Sequence, residues 1–380
     1  MSPGPLVRIE EAALGADAQV RLVVSGLSDP DRLRSAWASS GATLERVGER
    51  IRATTTVQAL ARAAGRALGG DEARLLDASL RQAVSSWIGP SPPLLLPGGR
   101  SLATDVRPLV MGVVNVTPAS FSDGGLVFPR DHPDTAVGHA RRLVAAGADV
   151  LDVGGESTRP GAEPVDVDEE LRRVLPVLER LRDSPAPRSI DTMKSAVAKA
   201  AVAAGATIVN DVSGARDPEL LDVVAASGAG YVLMHTRGRA RDMQSLAVYD
   251  DVVAEVHEFL AAGLERCTAA GIVAEQVVVD PGLGFAKTAD HNLQLLRALR
   301  QLRGLGRPVL AGASRKSFIG AVLDAPDPSD RLEGSLACAA LAAAQGAAVL
   351  RVHDVAPTVR VARMVRAIAT GDVSWPPATT

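Results

Sequence analysis

The chain has 380 residues, a formal net charge of −3 and scattered Lys and Arg residues. This distribution excludes the basic patch of a nucleic-acid-binding protein, so we expect small-molecule partners. The length exceeds one ordinary domain and suits a barrel of about 250 residues preceded by a smaller region.

Residues 1–90 are predicted to form a small α/β region of unknown role. The stretches QVRLVVSGL and ERIRATTTV are typical of strands, a helix is expected to begin near Ser28, and two further helical stretches end near Trp87. A Pro- and Gly-rich linker follows at 91–108, because X-Pro steps and glycines discourage regular elements. Its short apolar stretches predict a hairpin that leads into the next domain.

Residues 109–370 alternate between β-branched apolar stretches and Ala- and Leu-rich helical stretches. Eight strands are predicted: LVMGVVNV, ADVLDVGG, RSIDT, TIVNDVS, GYVLMHT, VVVDPG, PVLAGAS and AVLRVHDV. Strands that alternate with helices imply parallel βαβ units, and eight such units in about 260 residues predict an α/β fold of the (β/α)8 TIM barrel type. An open doubly wound sheet is the alternative. Residues 371–380 are predicted to be a tail.

Polar residues lie at or near the C-terminal end of every predicted strand. They are Asn115, Asp152, Asp191, Asn210, His235, Asp280, Ser314 and His353. In a barrel these strand ends converge on one mouth, where active sites lie. A single Asp after a strand is usually a helix N-cap, and Asp191 or Thr192 could have that role. Asn210 and Asp280 directly follow β-branched runs, so their side chains are expected to face the mouth.

The cysteine content and the hydrophobic pattern indicate a cytoplasmic protein without a membrane span. Cys267 and Cys338 are far apart in stretches predicted as helices, which is unlike a disulfide framework or a zinc site. The Ala-rich run at 336–350 is interrupted by Gln345 and Gly346, and the first twenty residues lack a basic start followed by an apolar core.

A series of motifs from Met111 to Val355 resembles the dihydropteroate synthases. In chain order the motifs are MGVVNVTPASFSDGG, DVGGESTRPGA, SIDT, IVNDVSG, MHTRG, DPGLGFAKT, GASRKSFIG and RVHDV. The resemblance implies condensation of 6-hydroxymethyl-7,8-dihydropterin diphosphate with p-aminobenzoate to give 7,8-dihydropteroate and diphosphate. It also implies magnesium as the cofactor and a homodimer as the assembly.

The resemblance assigns the pterin to Asp191, Asn210, Asp280 and Lys316. A pterin edge carries a ring N–H, an exocyclic amine and a carbonyl, which a carboxylate, an amide and an ammonium can bind together. Asp280 is suited to accept the paired N–H donors, and Lys316 is suited to donate to the carbonyl or a ring nitrogen. The alternative for Lys316 is a solvated basic pair with Arg315.

The diphosphate is assigned to Asn115, Arg351 and His353. Arg351 and His353 are alternate residues of the last predicted strand, so both are expected to point to one side and to bind phosphate. Asn115 offers a neutral oxygen as a magnesium ligand, since magnesium takes its other ligands from water and phosphate. His235 is expected either to face the phosphates or to be a hydrogen-bonded structural histidine.

Two loops, 117–128 and 156–165, are expected to close over the site as lids. In the family that the chain resembles, such loops build the aminobenzoate pocket, and the residues carried over are Phe121, Thr158, Arg159, Pro160 and Ser317. Asp123 is expected to order the first loop. The residues expected to act in catalysis are Asp123, Arg159, Lys316, Arg351 and His353.

Three positions depart from the pattern of that family. Ala119 stands where the family has Asp, and Thr236 and Ala286 are smaller departures. Ala119 removes a carboxylate near the departing diphosphate, which favours an alternative function, a catalytically impaired pterin-binding relative. A methyltetrahydrofolate-dependent methyltransferase is a second alternative, but it has no need of the phosphate-binding motifs SRKS and RVHDV.

Overall fold

A computed structural model describes residues 5–12, 19–38, 41–56, 59, 70–117, 133–159 and 161–378. The chain forms two compact units, and the shorter one includes a segment from late in the sequence. The first unit is Met1–Ser91 with Arg300–Arg307, and the second is Pro92–Leu299 with Pro308–Thr380. In the part of the chain described, no helix is long and apolar enough to cross a membrane.

The first unit contains a four-stranded antiparallel sheet in the order β1-β2-β4-β3. Its elements are β1 (Leu6–Ala12), β2 (Gln19–Ser25), α1 (Pro30–Ala38), β3 (Thr43–Val47), β4 (Arg50–Thr56) and α2 (Gly70–Ile88). The sequence predicted β2, β4, α1 and the end of α2, but it missed β1 and β3. The edge strand β3 is mostly exposed and therefore lacks the apolar alternation that marks a half-buried strand.

The core of the first unit forms between one face of the sheet and the two helices. Alternate residues of β4 are buried, as expected for a strand with one face packed against helices. Its buried residues are Val7, Ile9, Val20, Leu22, Val24, Leu33, Trp37, Ala53, Leu76, Leu80, Ala83 and Trp87.

The second unit is the predicted barrel. Its strands are β5 (Leu94–Leu95), β6 (Ser101–Leu102), β7 (Leu109–Asn115), β8 (Val150–Gly154), β9 (Arg188–Asp191), β10 (Ile208–Asp211), β11 (Gly230–Met234), β12 (Val277–Asp280), β13 (Leu310–Ala311) and β14 (Val349–Val352). Its helices are α3 (Pro133–Ala145), α4 (Val167–Arg180), α5 (Ser195–Ala203), α6 (Pro218–Ser227), α7 (Val252–Ala269), α8 (Ala289–Arg297), α9 (Ser317–Leu323), α10 (Leu332–Ala344) and α11 (Val355–Thr370).

Eight parallel strands close into the barrel. Their order is β12-β11-β10-β9-β8-β7-β14-β13, and a parallel bridge between Val279 and Val309 joins the two ends. The amide of Val279 also donates to the carbonyl of Pro308 over 2.9 Å. This closure confirms the predicted (β/α)8 barrel and excludes the open doubly wound sheet.

A hairpin and the C-terminal segment pack against the base of the barrel. Strands β5 and β6 pair in the predicted linker, and Leu94, Leu96 and Leu102 join a buried cluster with residues near the N-terminal ends of the barrel strands. The amide of Ala103 donates to the carbonyl of Ala378 over 2.8 Å. Within the predicted tail, Ala378 therefore belongs to the base, which leaves the opposite end of the barrel as the mouth.

Candidate active site at the mouth of the barrel

Four side chains from β8, β9, β10 and β14 form one hydrogen-bond network at the mouth. Arg351 of β14 donates from Nε to Oδ2 of Asp152 and from Nη2 to Oδ2 of Asp191, each over 2.7 Å. The amide of Asn210 donates to the same oxygen of Asp152 over 3.0 Å. The mouth thus brings together the predicted residues Asp191, Asn210 and Arg351.

Two carboxylate oxygens of this network have no partner in the described part of the chain. Oδ1 of Asp152 and Oδ1 of Asp191 are buried, and neither has a hydrogen-bond partner among the described residues. Burial raises the pKa of Asp191 to about 7, with Arg351 opposing the rise and Asp152 adding to it. Because an unpaired buried acceptor is unfavourable, the network is suited to a ligand that supplies N–H donors.

Asp280 and Lys316 form a second part of the mouth. Oδ1 of Asp280 accepts from the amide of Gly282 over 2.7 Å, and burial raises the pKa of this carboxyl group. Nζ of Lys316 donates to the carbonyl of Leu283 and lies 4.7 Å from the centre of the Phe285 ring. Burial lowers the pKa of Lys316 to about 8, an effect that Asp280 opposes.

The backbone beside Lys316 requires a glycine. Gly284 has φ +82°, and a Cβ there would lie 2.8 Å from Cδ of Lys316. Both the left-handed conformation and the close approach disfavour a side chain at this position. Gly284, the second glycine of the DPGLGFAKT motif, therefore allows the loop after β12 to pack against Lys316.

Lys316 and Arg315 are not a solvated basic pair. Arg315 forms a two-bond ion pair with Asp354, at 2.8 and 2.6 Å, while Lys316 points towards the loop after β12. Ser317 is exposed and begins α9. The capping alternative also fails for Asp191, since the N-cap of α5 is Lys194 and the described hydrogen bond of Asp191 comes from Arg351.

Ser314 orients His353 at the end of the last strand. The hydroxyl oxygen of Ser314 lies 3.2 Å from the amide nitrogen of His353 and 3.1 Å from its Nδ1. Burial and the nearby Arg351 and Arg315 hold the pKa of His353 well below its usual range. The imidazole is therefore neutral at pH 7 and can hydrogen-bond a phosphate without adding charge.

His235 fits the structural alternative. Its ring is buried, its Nδ1 lies 2.9 Å from Nζ of Lys287, and its edge meets the ring of Phe259 with centroids 4.7 Å apart. Lys287 also donates to the carbonyl of Phe285 over 2.9 Å. His235 therefore supports the loop after β12.

The loop residues are only partly described. Thr158 is half-buried and Arg159 is exposed at the start of the second loop. Phe121, Asp123 and Pro160 lie outside the described residues, as does Ala119.

The structure also reveals a member of the site that the sequence analysis left without a role. Asp152 is completely buried and accepts hydrogen bonds from both Arg351 and Asn210. The sequence did point to Asp152, because it is one of the polar residues at or near the C-terminal ends of the predicted strands. Asp211, by contrast, stabilises the turn after β10, because its carboxylate accepts hydrogen bonds from the amides of Ser213 and Ala215.

The donor set at the mouth fits a magnesium ion that arrives with phosphate. Asn115 ends β7, where its amide supplies an oxygen of the type that magnesium binds. Over the described ranges, no group of three or more His, Cys, Asp or Glu side chains could hold a metal by itself. Phosphate and water oxygens would have to supply the remaining ligands.

Comparisons with known proteins agree with this geometry. The family described as pterin binding enzyme matches residues 111–353. The dihydropteroate synthase of Escherichia coli K12 is 46% identical over 262 residues, which cover 69% of this chain and 92% of that protein.

Two solved structures also match the barrel. The Xanthomonas albilineans dihydropteroate synthase with 4-aminobenzoic acid has a TM-score of 0.68 and 50% identity, covering 74% of this chain and 99% of that one. The Burkholderia cenocepacia enzyme complexed with 7,8-dihydropteroate has a TM-score of 0.67 and 45% identity, covering 74% and 98%. This chain belongs to the pterin binding enzyme family and, within it, to the dihydropteroate synthases.

Proposed function

We propose that the chain condenses 6-hydroxymethyl-7,8-dihydropterin diphosphate with p-aminobenzoate, giving 7,8-dihydropteroate and diphosphate. Its similarity to dihydropteroate synthases, over nearly their whole length, supports this activity. So does the 7,8-dihydropteroate bound by a solved relative, since that compound is the product of the proposed reaction.

The observation that carries the proposal is the pair of unpaired carboxylate oxygens on Asp152 and Asp191. A flat heterocycle rich in N–H donors would satisfy them, and a pterin is such a ring. Asp280 accepts the paired donors of the pterin edge, Asn210 binds a further ring position, and Lys316 donates to the carbonyl or ring nitrogen. The ligand's own donors then compensate for the desolvation of these carboxylates.

The diphosphate leaves on the side of Arg351 and His353. The described hydrogen bonds of Arg351 run from Nε to Asp152 and from Nη2 to Asp191, and we assign its third nitrogen, Nη1, to the diphosphate. This nitrogen and the neutral imidazole of His353 stabilise the departing anion. The C–O bond to the diphosphate breaks, the methylene carbon bonds to the aniline nitrogen, and that nitrogen releases a proton. The loop that carries Thr158 and Arg159 excludes water during this step.

A diphosphate-release assay tests this activity. With pterin diphosphate alone we expect little release, and with p-aminobenzoate added we expect equal amounts of diphosphate and 7,8-dihydropteroate. Binding of pterin diphosphate without turnover would instead support the impaired relative that Ala119 favours. Failure to bind pterin diphosphate would refute the proposal.

Magnesium belongs to the same proposal, with Asn115 as its protein ligand. When bound, the ion would neutralise charge on the leaving diphosphate. Because a single amide oxygen is a weak site, calorimetry should detect little magnesium binding to the protein alone and clear binding with diphosphate present. Tight binding of magnesium without diphosphate would contradict the assignment to Asn115.

A cytoplasmic homodimer completes the proposal. Exposed apolar side chains occur on three helices of the second unit, and they are Val322 and Leu323 of α9, Leu341 of α10, and Met364 and Ile368 of α11. Large exposed apolar surfaces favour association with another chain. Cys267 and Cys338 are both free thiols, which is consistent with a reducing compartment.

A further inference from the structure

A lysine outside the predicted site binds two carboxylates. One belongs to the second loop of the mouth, 156–165, and the other belongs to a helix of the barrel wall. Nζ of Lys194, the residue before α5, donates to Glu156, which lies just after β8, and to Glu170 of α4. The side chain of Glu170 is completely buried, whereas Glu156 is 10% and Lys194 23% exposed. These groups connect a helix of the barrel wall to the loop that carries Thr158 and Arg159.

Glu170 fixes the position of Lys194. An ionised carboxylate is strongly unfavourable in a buried site unless a cation compensates it. Burial raises the pKa of Glu170, and the hydrogen bond from Lys194 opposes that rise. Since Glu170 lies on the buried face of α4, Lys194 is held against the barrel wall, and the same ammonium group then holds Glu156.

The backbone before Glu156 is also held against α4. A Cβ on Gly155 would lie 2.8 Å from Cγ1 of Val174 and 3.0 Å from Cγ of Glu170. Nη1 of Arg173 donates to the carbonyl of Gly155 over 2.7 Å. Gly155 is therefore fixed at the end of β8, and the bond from Lys194 fixes the next residue, Glu156, at the start of the loop.

We propose that Lys194 is a positioning residue for the aminobenzoate substrate. It holds Glu156, and Glu156 sets the position of Thr158 and Arg159 in the same loop. The inference rests on the proposed function. Asp152 and Asp191 lie on β8 and β9, the strands that precede Glu156 and Lys194, but their hydrogen bonds described above run to Arg351 and Asn210 and not to Lys194 or Glu156. Lys194 therefore sets the KM for p-aminobenzoate and leaves pterin binding unchanged.

The sharpest test is Glu156→Gln, which weakens the loop side and keeps the pair of Lys194 with Glu170. Loss of one charge-assisted bond is expected to raise the KM for p-aminobenzoate roughly tenfold and to change kcat less than about twofold. The Kd for pterin diphosphate and the Tm should match the wild-type values. Lys194→Met should give the same rise in KM, and Lys199→Met, an exposed control on α5, should give none.

Three results would overturn the inference. An unchanged KM in Glu156→Gln, with normal wild-type turnover, would refute the positioning role alone. A parallel loss of pterin diphosphate affinity would show that the cluster supports the whole mouth. If Lys194→Met fails to fold because Glu170 is left uncompensated, Glu156→Gln still decides the question. A wild-type protein without turnover would refute the proposed function and this inference together.

Discussion

A substitution at Asp280 can separate the contribution of this side chain to ligand binding from its contribution to stability. Its Oδ1 accepts from the amide of Gly282. In Asp280→Asn the amide oxygen can keep that bond, while the new NH2 group faces the N–H donors of the pterin. We expect pterin affinity to fall by at least roughly 100-fold, since the site then presents a donor to donors.

Calorimetric titration with pterin diphosphate measures this loss, and thermal unfolding supplies the control. The Tm should change by no more than about 3 °C, because the bond that closes the turn remains. A large fall in Tm with intact pterin affinity would show that Asp280 has only a structural role.

Asp191 should make stability depend on pH. Its pKa is raised to about 7 in the folded protein, mainly by burial. The unfolded value is about 3.9, so between these values the folded state holds a proton that the unfolded state has released. The contribution of Asp191 to stability therefore falls as pH rises from about 4 to 7, by at most about 1.4 kcal/mol per pH unit, and is constant above that window.

Urea unfolding of the wild type and Asp191→Asn at several pH values measures this effect. The difference in free energy of unfolding, wild type minus variant, should decrease between pH 5 and 7 and level off by pH 8. If the free energies of unfolding of the two proteins change equally with pH, Asp191 stays ionised in the folded protein. The attraction of Arg351 would then outweigh the effect of burial on its pKa.

The strands of the barrel could be predicted from the sequence more completely than those of the first unit. Strands such as β11 and β12 are wholly buried, and parallel strands covered on both faces are recognisable as continuous apolar runs. Strand β3 lacks that signal because it is exposed at a sheet edge. The role of Asp152 was equally hidden, since its bond to Arg351 joins residues 199 positions apart, a distance at which no local pattern operates.

The outer helices provide a test of the proposed homodimer. Ile368 on α11 is 73% exposed, so Ile368→Glu should leave the fold intact while placing a charge in the apolar contact. We expect sedimentation to show a dimer for the wild type and a monomer for the variant. Leu75→Glu on α2, where the side chain is 52% exposed, is the matched control and should stay dimeric. A monomeric wild type, or a dimeric Ile368→Glu, would contradict the assignment to α11.

The chain does not divide into two consecutive pieces. The first unit includes Arg300–Arg307, a segment that the chain supplies between α8 and β13. Within that unit, Gln82 donates to the carbonyl of Leu305 over 2.9 Å and Arg300 donates to the carbonyl of Trp87 over 3.1 Å. The first unit therefore cannot be completed without residues that lie between two barrel strands in the sequence.

This interleaving predicts one cooperative unfolding transition. Unfolding of the barrel would release 300–307 from the first unit, and unfolding of the first unit would break the bonds from Gln82 to Leu305 and from Arg300 to Trp87. The Trp residues allow a direct test, because Trp37 and Trp87 lie in the first unit and Trp375 in the second. In Trp375→Phe, tryptophan fluorescence reports on the first unit alone, while circular dichroism at 222 nm reports mainly on the helices of the second. We expect the two thermal curves of this variant to coincide, as they do in a two-state transition. A fluorescence midpoint more than about 5 °C below the dichroism midpoint would show that the first unit unfolds independently and that its hold on 300–307 is weak.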